Sequence, residues 1–460
     1  MTINAKVSTF WISIVVIFMA IAIHVFKRSY LSDEKLSRSQ KETENHNPMA
    51  AKLSAFQKWF LENGGYMSPH LSLLAPPSAV QYGNGLQVIS EEIRQGEKIL
   101  AIPRDMILTA SLTFIPEDED LNEILVEKQD IDLAWILMTE CEKGSSSRWY
   151  PYMEILPSDI PRLSTFSDKE RAWLQDDNGM ARWGAQQREE LHRIYMKLIL
   201  PLVKDKVNIA TTQSENERVE SCWTEFAFCR FVAISTSRAM ILQGKKYLTP
   251  MADMINHAPR LSQKGGEDQQ KDGNFQDMAI GSTLSFETFH KWNEGGDLLE
   301  VYADRNMSVG DVALEEYGAL DNSLYITSFG FVPRDNPFHC VMLLLPDNYP
   351  GLDHDESPEV CVHRDGTILD WEWDKHHSLP KDYVSKRIWI REEAKRQLSS
   401  RPTTLNHDET LLIELDTYFS NEKDKQNNQE VWEGNRFDQL KVALTFRIEE
   451  KKVLTFLAHN

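Results

Sequence analysis

Residues 252–259 read ADMINHAP, and Glu315–Pro333 reads EEYGALDNSLYITSFGFVP. Between them they offer a carboxylate (Asp253), an amide (Asn256), an imidazole (His257) and a phenol (Tyr317) among apolar neighbours. Neither stretch has a metal-ligand spacing, a phosphate-cradling glycine loop or a nucleophile–base pair. Taken singly they are unremarkable: Asn256-His257 before Pro259 makes a turn, and Tyr317 is an ordinary half-buried aromatic. A third feature lies just upstream. Trp223, Ala227, Phe231, Ile234, Arg238 and Ile241 recur at helical spacing, so the Arg238 guanidinium sits on an apolar stripe. A charge in such a place needs an anionic or hydrogen-bonding partner.

The elements that must position these residues are legible in part. Leu53, Phe56, Phe60 and Leu61 predict a helix over Ala51–Asn63. In YGNGLQVISEEIRQGEKILAIP, strands at Leu86–Ile89 and Ile99–Ile102 flank a Gln95-Gly96 turn, which predicts a β-hairpin. Residues 112–222 read as a helical insert, with amphipathic segments at Asp130–Glu142 and Gln186–Lys204 around the loop WYPYMEILPSDIP. The hydrophilic tract 260–277 reads as a mobile loop. Strands resume in LEVYADRNMSVGDVALEEYG with the same hairpin grammar. From 346 to 460 the segments Glu409–Phe419 and Phe437–Leu457 predict a separate, all-α domain.

The chain has 460 residues, 41% hydrophobic and 10% aromatic, enough for more than one folded domain. A net charge of −20 argues against a nucleic-acid partner. The five cysteines are scattered, without a CxxC, and predict neither a metal site nor a disulfide framework but a reducing compartment. At the N-terminus, FWISIVVIFMAIAIHVF (Phe10–Phe26) would span roughly 26 Å as a helix. With Lys27-Arg28 following, residues 1–30 predict a single transmembrane signal anchor, the alternative being a signal peptide cleaved at Ala20-Ile21-Ala22, and a polar linker follows at 31–48. The basic excess after the span would hold the body on the cytoplasmic side.

In this order the motifs resemble those of SET-domain protein methyltransferases. The match is to the branch that includes the Rubisco large-subunit lysine methyltransferases and the actin-histidine methyltransferase. GNGLQVISEEIRQGEKILAIP resembles the first strands of that family, WYPYMEILP its helical insert, ADMINHAP its Asn-His motif, and EEYG with FGFV its closing tyrosine motif. TLLIELDTYFSN and LKVALTFRIEEKKVL resemble its helical substrate-binding domain. The resemblance implies an α+β chain: a β-rich SET domain over 49–345 and a helical substrate-binding domain over 346–460, working as a monomer. It also implies S-adenosyl-L-methionine as cofactor, no metal, and a lysine-bearing, non-histone protein as substrate.

Roles follow from the same resemblance. Tyr82, Gly83 and Asn84 would cradle the cofactor's methionine part, and Arg238 would meet its carboxylate. Asn256 and His257 would bind its amino and adenine portions. Asp253 would face the substrate, and Tyr317 would sit where the lysine channel meets the methyl group. Methyl transfer from a sulfonium needs in-line alignment and exclusion of water rather than a metal or covalent intermediate. Freeing a lysine amine at pH 7 costs about 4.6 kcal/mol, which an apolar channel reduces; no dedicated base is evident. Two positions depart from the pattern. Phe329 stands where a Tyr or Ser is common, and Met240 where the histidine-specific enzyme carries Asn, which favours lysine over histidine. The alternatives are a protein-histidine methyltransferase and a SET-like binding module without turnover.

Overall fold

The computed structural model describes residues 48–74, 84–111, 128–175, 179–204, 222–258, 288–344, 359–366, 368–369, 383–420 and 436–459. Leu53, Phe56 and Phe60 form the buried face of α1 (Pro48–Glu62), whereas Leu61, expected beside them, is exposed. Short strands follow: β1 (Tyr66–Met67), β2 (Leu71–Leu74), β3 (Gly85–Val88), β4 (Lys98–Pro103) and β5 (Leu108–Thr109). Next come the helices α2 (Lys128–Lys143), α3 (Met180–Ile194) and α4 (Glu225–Arg238). The chain then returns to strands: β6 (Met240–Leu242), β7 (Lys245–Leu248), β8 (Asn256–His257), β9 (His290–Trp292), β10 (Leu298–Tyr302) and β11 (Leu314–Glu315).

The strands assemble into small sheets ordered β1-β4-β10-β9, β2-β3 and β5-β7-β6, and a parallel pair β8-β11. Both expected hairpins are corrected. β3 pairs with β2 and β4 with β1 and β10; β10 and β11 likewise lie in different sheets. The connecting segments carry polar turns whose backbones bond to each other instead. Ile93 bridges Met307, and the Val88 N–H donates to the Asp311 carbonyl at 2.9 Å. The two copies of the strand grammar are thus interleaved, and Leu86, Val88, Ile93, Leu100, Ile102, Leu299 and Val301 meet in one core.

Helices α2 and α4 pack on this core through Ile131, Ala134, Leu137, Phe228, Phe231 and Ile234. Their buried polar groups are matched. Asp130 accepts from Ser235 Oγ and from Lys246 Nζ, each at 2.8 Å. The Thr224 side chain caps α4 by accepting from the Ala227 N–H at 3.1 Å.

After the last site strand come β12 (Cys340–Leu344), β13 (Glu359–His363) and β14 (Ile368–Leu369), then α5 (Tyr383–Ser400), α6 (Leu405–Ser420) and α7 (Arg436–His459). The expected all-α character is therefore corrected. An antiparallel sheet β12-β13-β14 underlies α5 and α7, because Val341, Leu343, Val360 and Val362 alternate at strand period onto one apolar face. On α7, Leu444 and Ile448 meet Leu412 of α6, while Ala443 and Phe446 meet Leu163, Phe166, Leu174 and Ile326.

Two further expectations change. The transmembrane stretch Phe10–Phe26 and residues 260–277 lie outside the described residues, and among the described residues no helix is long and apolar enough to cross a membrane. Among the described residues, then, the expected N-terminal spanning helix and the placement on a cytoplasmic membrane face find no support. The cysteines are not all free thiols either. Cys141–Cys222 and Cys340–Cys361 form disulfides with Cα separations of 5.8 and 5.5 Å, leaving Cys229 free. The second pair spans neighbouring strands, a proximity that sequence spacing does not reveal.

The helical end is locked by charge. Asp408, at the first turn of α6, is fully buried and accepts from Arg447 Nη2 at 2.6 Å, Lys451 Nζ at 2.6 Å and Thr403 Oγ1 at 2.7 Å. Burial pushes its carboxyl up, but these hydrogen bonds and the Arg447 charge outweigh that and hold it below the ordinary value. Its stabilisation is therefore present above the unfolded carboxylate pKa and lost as pH falls through the lower folded value. Asp408→Ala strands two buried cations and is expected to cost about 3–5 kcal/mol in urea denaturation at pH 7, with a smaller loss at pH 3.

Candidate active site

Arg238 ends α4, where a cation also suits the helix dipole, and its expected stripe stops there; Ile241 belongs to β6. Its side chain is 20% exposed. Nη1 donates to the Asp253 backbone carbonyl at 2.9 Å and lies 3.3 Å from the Asp253 carboxylate. Asp253 sits in a turn of 3₁₀ helix, Ala252–Met254, entered through the buried Met251 at φ 78°, ψ −44°. A non-glycine residue seldom adopts that backbone. The strain aims the Asp253 side chain inward, where Tyr152 of the insert donates its hydroxyl to Oδ2 at 2.7 Å. Burial pushes the Asp253 carboxyl up; Arg238 and Tyr152 pull it back without restoring the ordinary value. Its Oδ1 is buried without a hydrogen-bond partner among the described residues.

Tyr317 follows β11. Its hydroxyl donates to the Ile255 carbonyl at 2.7 Å, and its backbone N–H donates to His257 Nδ1 at 3.1 Å. Burial, with the Glu315 charge adding to it, pushes the phenol well above its ordinary pKa, so it stays protonated at neutral pH. Around it lie His257, Tyr325, Phe329 and Phe331, with Tyr317–Phe329 ring centroids 5.2 Å apart and His257–Tyr325 centroids 4.7 Å apart. The box is built from a widened, π-helical turn, Tyr325–Phe329, that ends on Gly330. Only glycine suits that position: its φ is 75°, and a Cβ would stand 2.7 Å from Ile160 Cγ2. Arg162 Nε donates to the Thr327 carbonyl at 2.6 Å and fastens the same turn to the insert.

One small cavity, of about 30 Å³, is lined by Arg238, Met240, Asp253, Ile255, Glu315, Tyr317 and Phe329. Four of the expected site residues, Arg238, Asp253, Tyr317 and Phe329, thus come together. Asn84 and Asn256 do not line that cavity but bond to each other, Asn256 Nδ2 donating to the Asn84 carbonyl at 3.1 Å. Gly85 permits this approach, since a Cβ there would lie 2.8 Å from Asn256 Nδ2. His257 holds up Tyr317 rather than lining the cavity. Tyr82 and Gly83 lie outside the described residues. Sequence reading missed Tyr152, which its loop gave no reason to single out, and Glu315, whose only signal is that it stands two residues before Tyr317.

At the cavity Arg238 offers a positive charge, and the buried Asp253 Oδ1 is an acceptor without a hydrogen-bond partner among the described residues. Such a donor and acceptor set is compatible with the amino-acid end of S-adenosylmethionine.

His257 makes the site sensitive to acid. Burial is the main cause that lowers its pKa to about 4, with Arg305 adding to it. Its neutral form is favoured by folding, so its contribution is complete above the unfolded value of 6.5 and is lost as pH falls toward 4. Comparing His257→Gln with the parent by urea denaturation at pH 7, 6, 5 and 4 should give a flatter decline in the variant across that window.

No protein-family model matches the chain. Among curated proteins, it is 22% identical over 372 residues to Protein SET DOMAIN GROUP 40 of Arabidopsis thaliana, covering 73% of this chain and 72% of that protein. It is 26% identical over 183 residues to the N-lysine methyltransferase setd6 of Xenopus tropicalis, covering 37% of each. Among solved structures, Rubisco LSMT bound to AdoMet aligns with TM-score 0.55 at 18% identity, over 89% of this chain and 91% of that one. The LSMT SET domain bound to lysine and AdoHcy aligns with TM-score 0.55 at 18% identity, over 89% and 90%. The fold is therefore that of the SET-domain methyltransferases, and the resemblance read from the motifs extends over most of the chain.

Proposed function

We propose that the chain is an S-adenosylmethionine-dependent protein-lysine N-methyltransferase. The observation that most supports this is the convergence of Arg238, Asp253, Tyr317 and Phe329 on one cavity of a SET fold. In this reading the cofactor supplies a methyl group on a sulfonium. Arg238 pairs with the cofactor's carboxylate, and Asp253 fixes the guanidinium for that task while facing the acceptor. Asn84 and Asn256, joined through the amide, support the wall, and His257 sets the position of Tyr317.

The acceptor end is apolar where it should be. Met240, Ile255 and Phe329 strip water from an entering ammonium and lower its pKa. The Tyr317 oxygen, whose proton is committed to the Ile255 carbonyl, accepts from the amine N–H and turns its lone pair toward the methyl group. Met240 is buried, its sulfur taking the Thr249 hydroxyl at 3.2 Å, and offers an imidazole no strong hydrogen-bond partner. Lysine is the acceptor this wall favours.

Calorimetry with S-adenosylmethionine on the full chain tests the cofactor reading: binding by the parent and at least tenfold weaker binding by Arg238→Ala are expected. A parent that does not bind the cofactor overturns it. With labelled cofactor and lysine peptides, Tyr317→Phe should retain binding and lose about 10²-fold in transfer rate. Phe329→Tyr adds a hydroxyl beside the acceptor nitrogen, and mass spectrometry should find fewer methyl groups per lysine than the parent installs.

A further inference from the structure

Glu315 forms part of the cavity wall, and the reading above gives it no task. It lies two residues before Tyr317, which stands just past the end of β11, and both side chains line the cavity. Only 7% of Glu315 is exposed. His290, on β9 and 3% exposed, brings Nε2 to 3.1 Å from Glu315 Oε2. Asp304 and Arg305, ion-paired at 2.7 Å, stand behind this pair, and Arg305 also donates to the Ala258 carbonyl at 3.1 Å. Arg238, Asp253 and Tyr317 are the other titratable groups around the cavity. Burial pushes the Glu315 carboxyl up and Asp304 adds to this; His290 and Arg305 oppose it without cancelling it.

We propose that Glu315 accepts the proton that a substrate lysine must lose before methyl transfer, with His290 as its positioning residue. The inference rests on the methyltransferase reading. Of the two carboxylates at the cavity, Asp253 is already engaged by the Arg238 guanidinium and the Tyr152 hydroxyl. Glu315 faces an imidazole instead and is the better base. In the step, an ammonium N–H bond breaks and an O–H bond forms on Glu315. The freed nitrogen lone pair forms the bond to the methyl carbon, and the carbon–sulfur electrons return to sulfur. The product leaves as a methylated ammonium, and Glu315 releases its proton to water before the next turnover.

The test uses the full chain, methyl-labelled S-adenosylmethionine and a peptide library with one central lysine, between pH 6 and 10. Cofactor affinity is measured for every variant by calorimetry. The parent should reach its plateau in kcat/KM near neutrality. Glu315→Gln should bind cofactor normally and fall about 10²-fold at pH 7, then recover about tenfold per pH unit toward the free amine pKa. Glu315→Asp should regain part of the loss. His290→Gln removes a group that holds the Glu315 pKa down, so its acid limb should move to higher pH. Should Glu315→Gln not fold, Glu315→Asp and His290→Gln still decide the matter through that limb. A Glu315→Gln profile matching the parent, or an unmoved limb in His290→Gln, overturns the proposal. A parent that binds cofactor and labels no lysine overturns the methyltransferase reading, and this inference with it.

Discussion

The buried carboxylate of Asp253 is the constraint on which the site depends. It joins the end of α4 through Arg238, the insert through Tyr152, and its own strained turn through Met251. An ion removed from water is costly to bury, and each of these partners offsets part of that cost. The arrangement is stable only when all three segments are in place. The Arg238 guanidinium is thereby held in place by contacts within the fold itself, which is the physical meaning of preorganisation.

The aromatic side of the cavity is organised by shape. The π-helical turn at Tyr325–Phe329 swings aromatic rings toward Tyr317 and His257, and Gly330 lets the insert come close behind it. Arg162 then closes a buried hydrogen bond to that turn, and burial lowers its own pKa to about 10, with Asp130 opposing. The insert therefore backs the site's wall: it supplies Tyr152 to one carboxylate and Arg162 to the aromatic turn.

The helical end reaches the same place by another route. Phe446 and Ala443 of α7 pack with Leu163, Phe166 and Ile326, so the helix touches both the insert and the turn that carries Phe329. The buried charges of Asp408, Arg447 and Lys451 fix α7 against α6 and the Thr403 segment, and Lys451 also meets Gln175 of the insert. A contact made far along α7 thus has a packed connection to the turn that carries Phe329.

The sequence by itself determined which residues could bear the chemistry. ADMINHAP, the arginine on an apolar stripe and the EEYG–FGFV order were legible because short-range spacing and residue type carry them. Helix α1, the apolar faces of α2, α4 and α7, and the strands around Leu86 and Ile99 were legible for the same reason: local periodicity reflects which face is buried. Tertiary structure alone decided the rest. Strand partners are chosen by long-range backbone bonding, so the expected hairpins opened into interleaved sheets, and the β12–β14 sheet emerged beneath helices. Cysteines distant in sequence became pairs. Tyr152 on Asp253 and His290 on Glu315 are contacts across 101 and 25 positions, set by packing, and no local pattern records them.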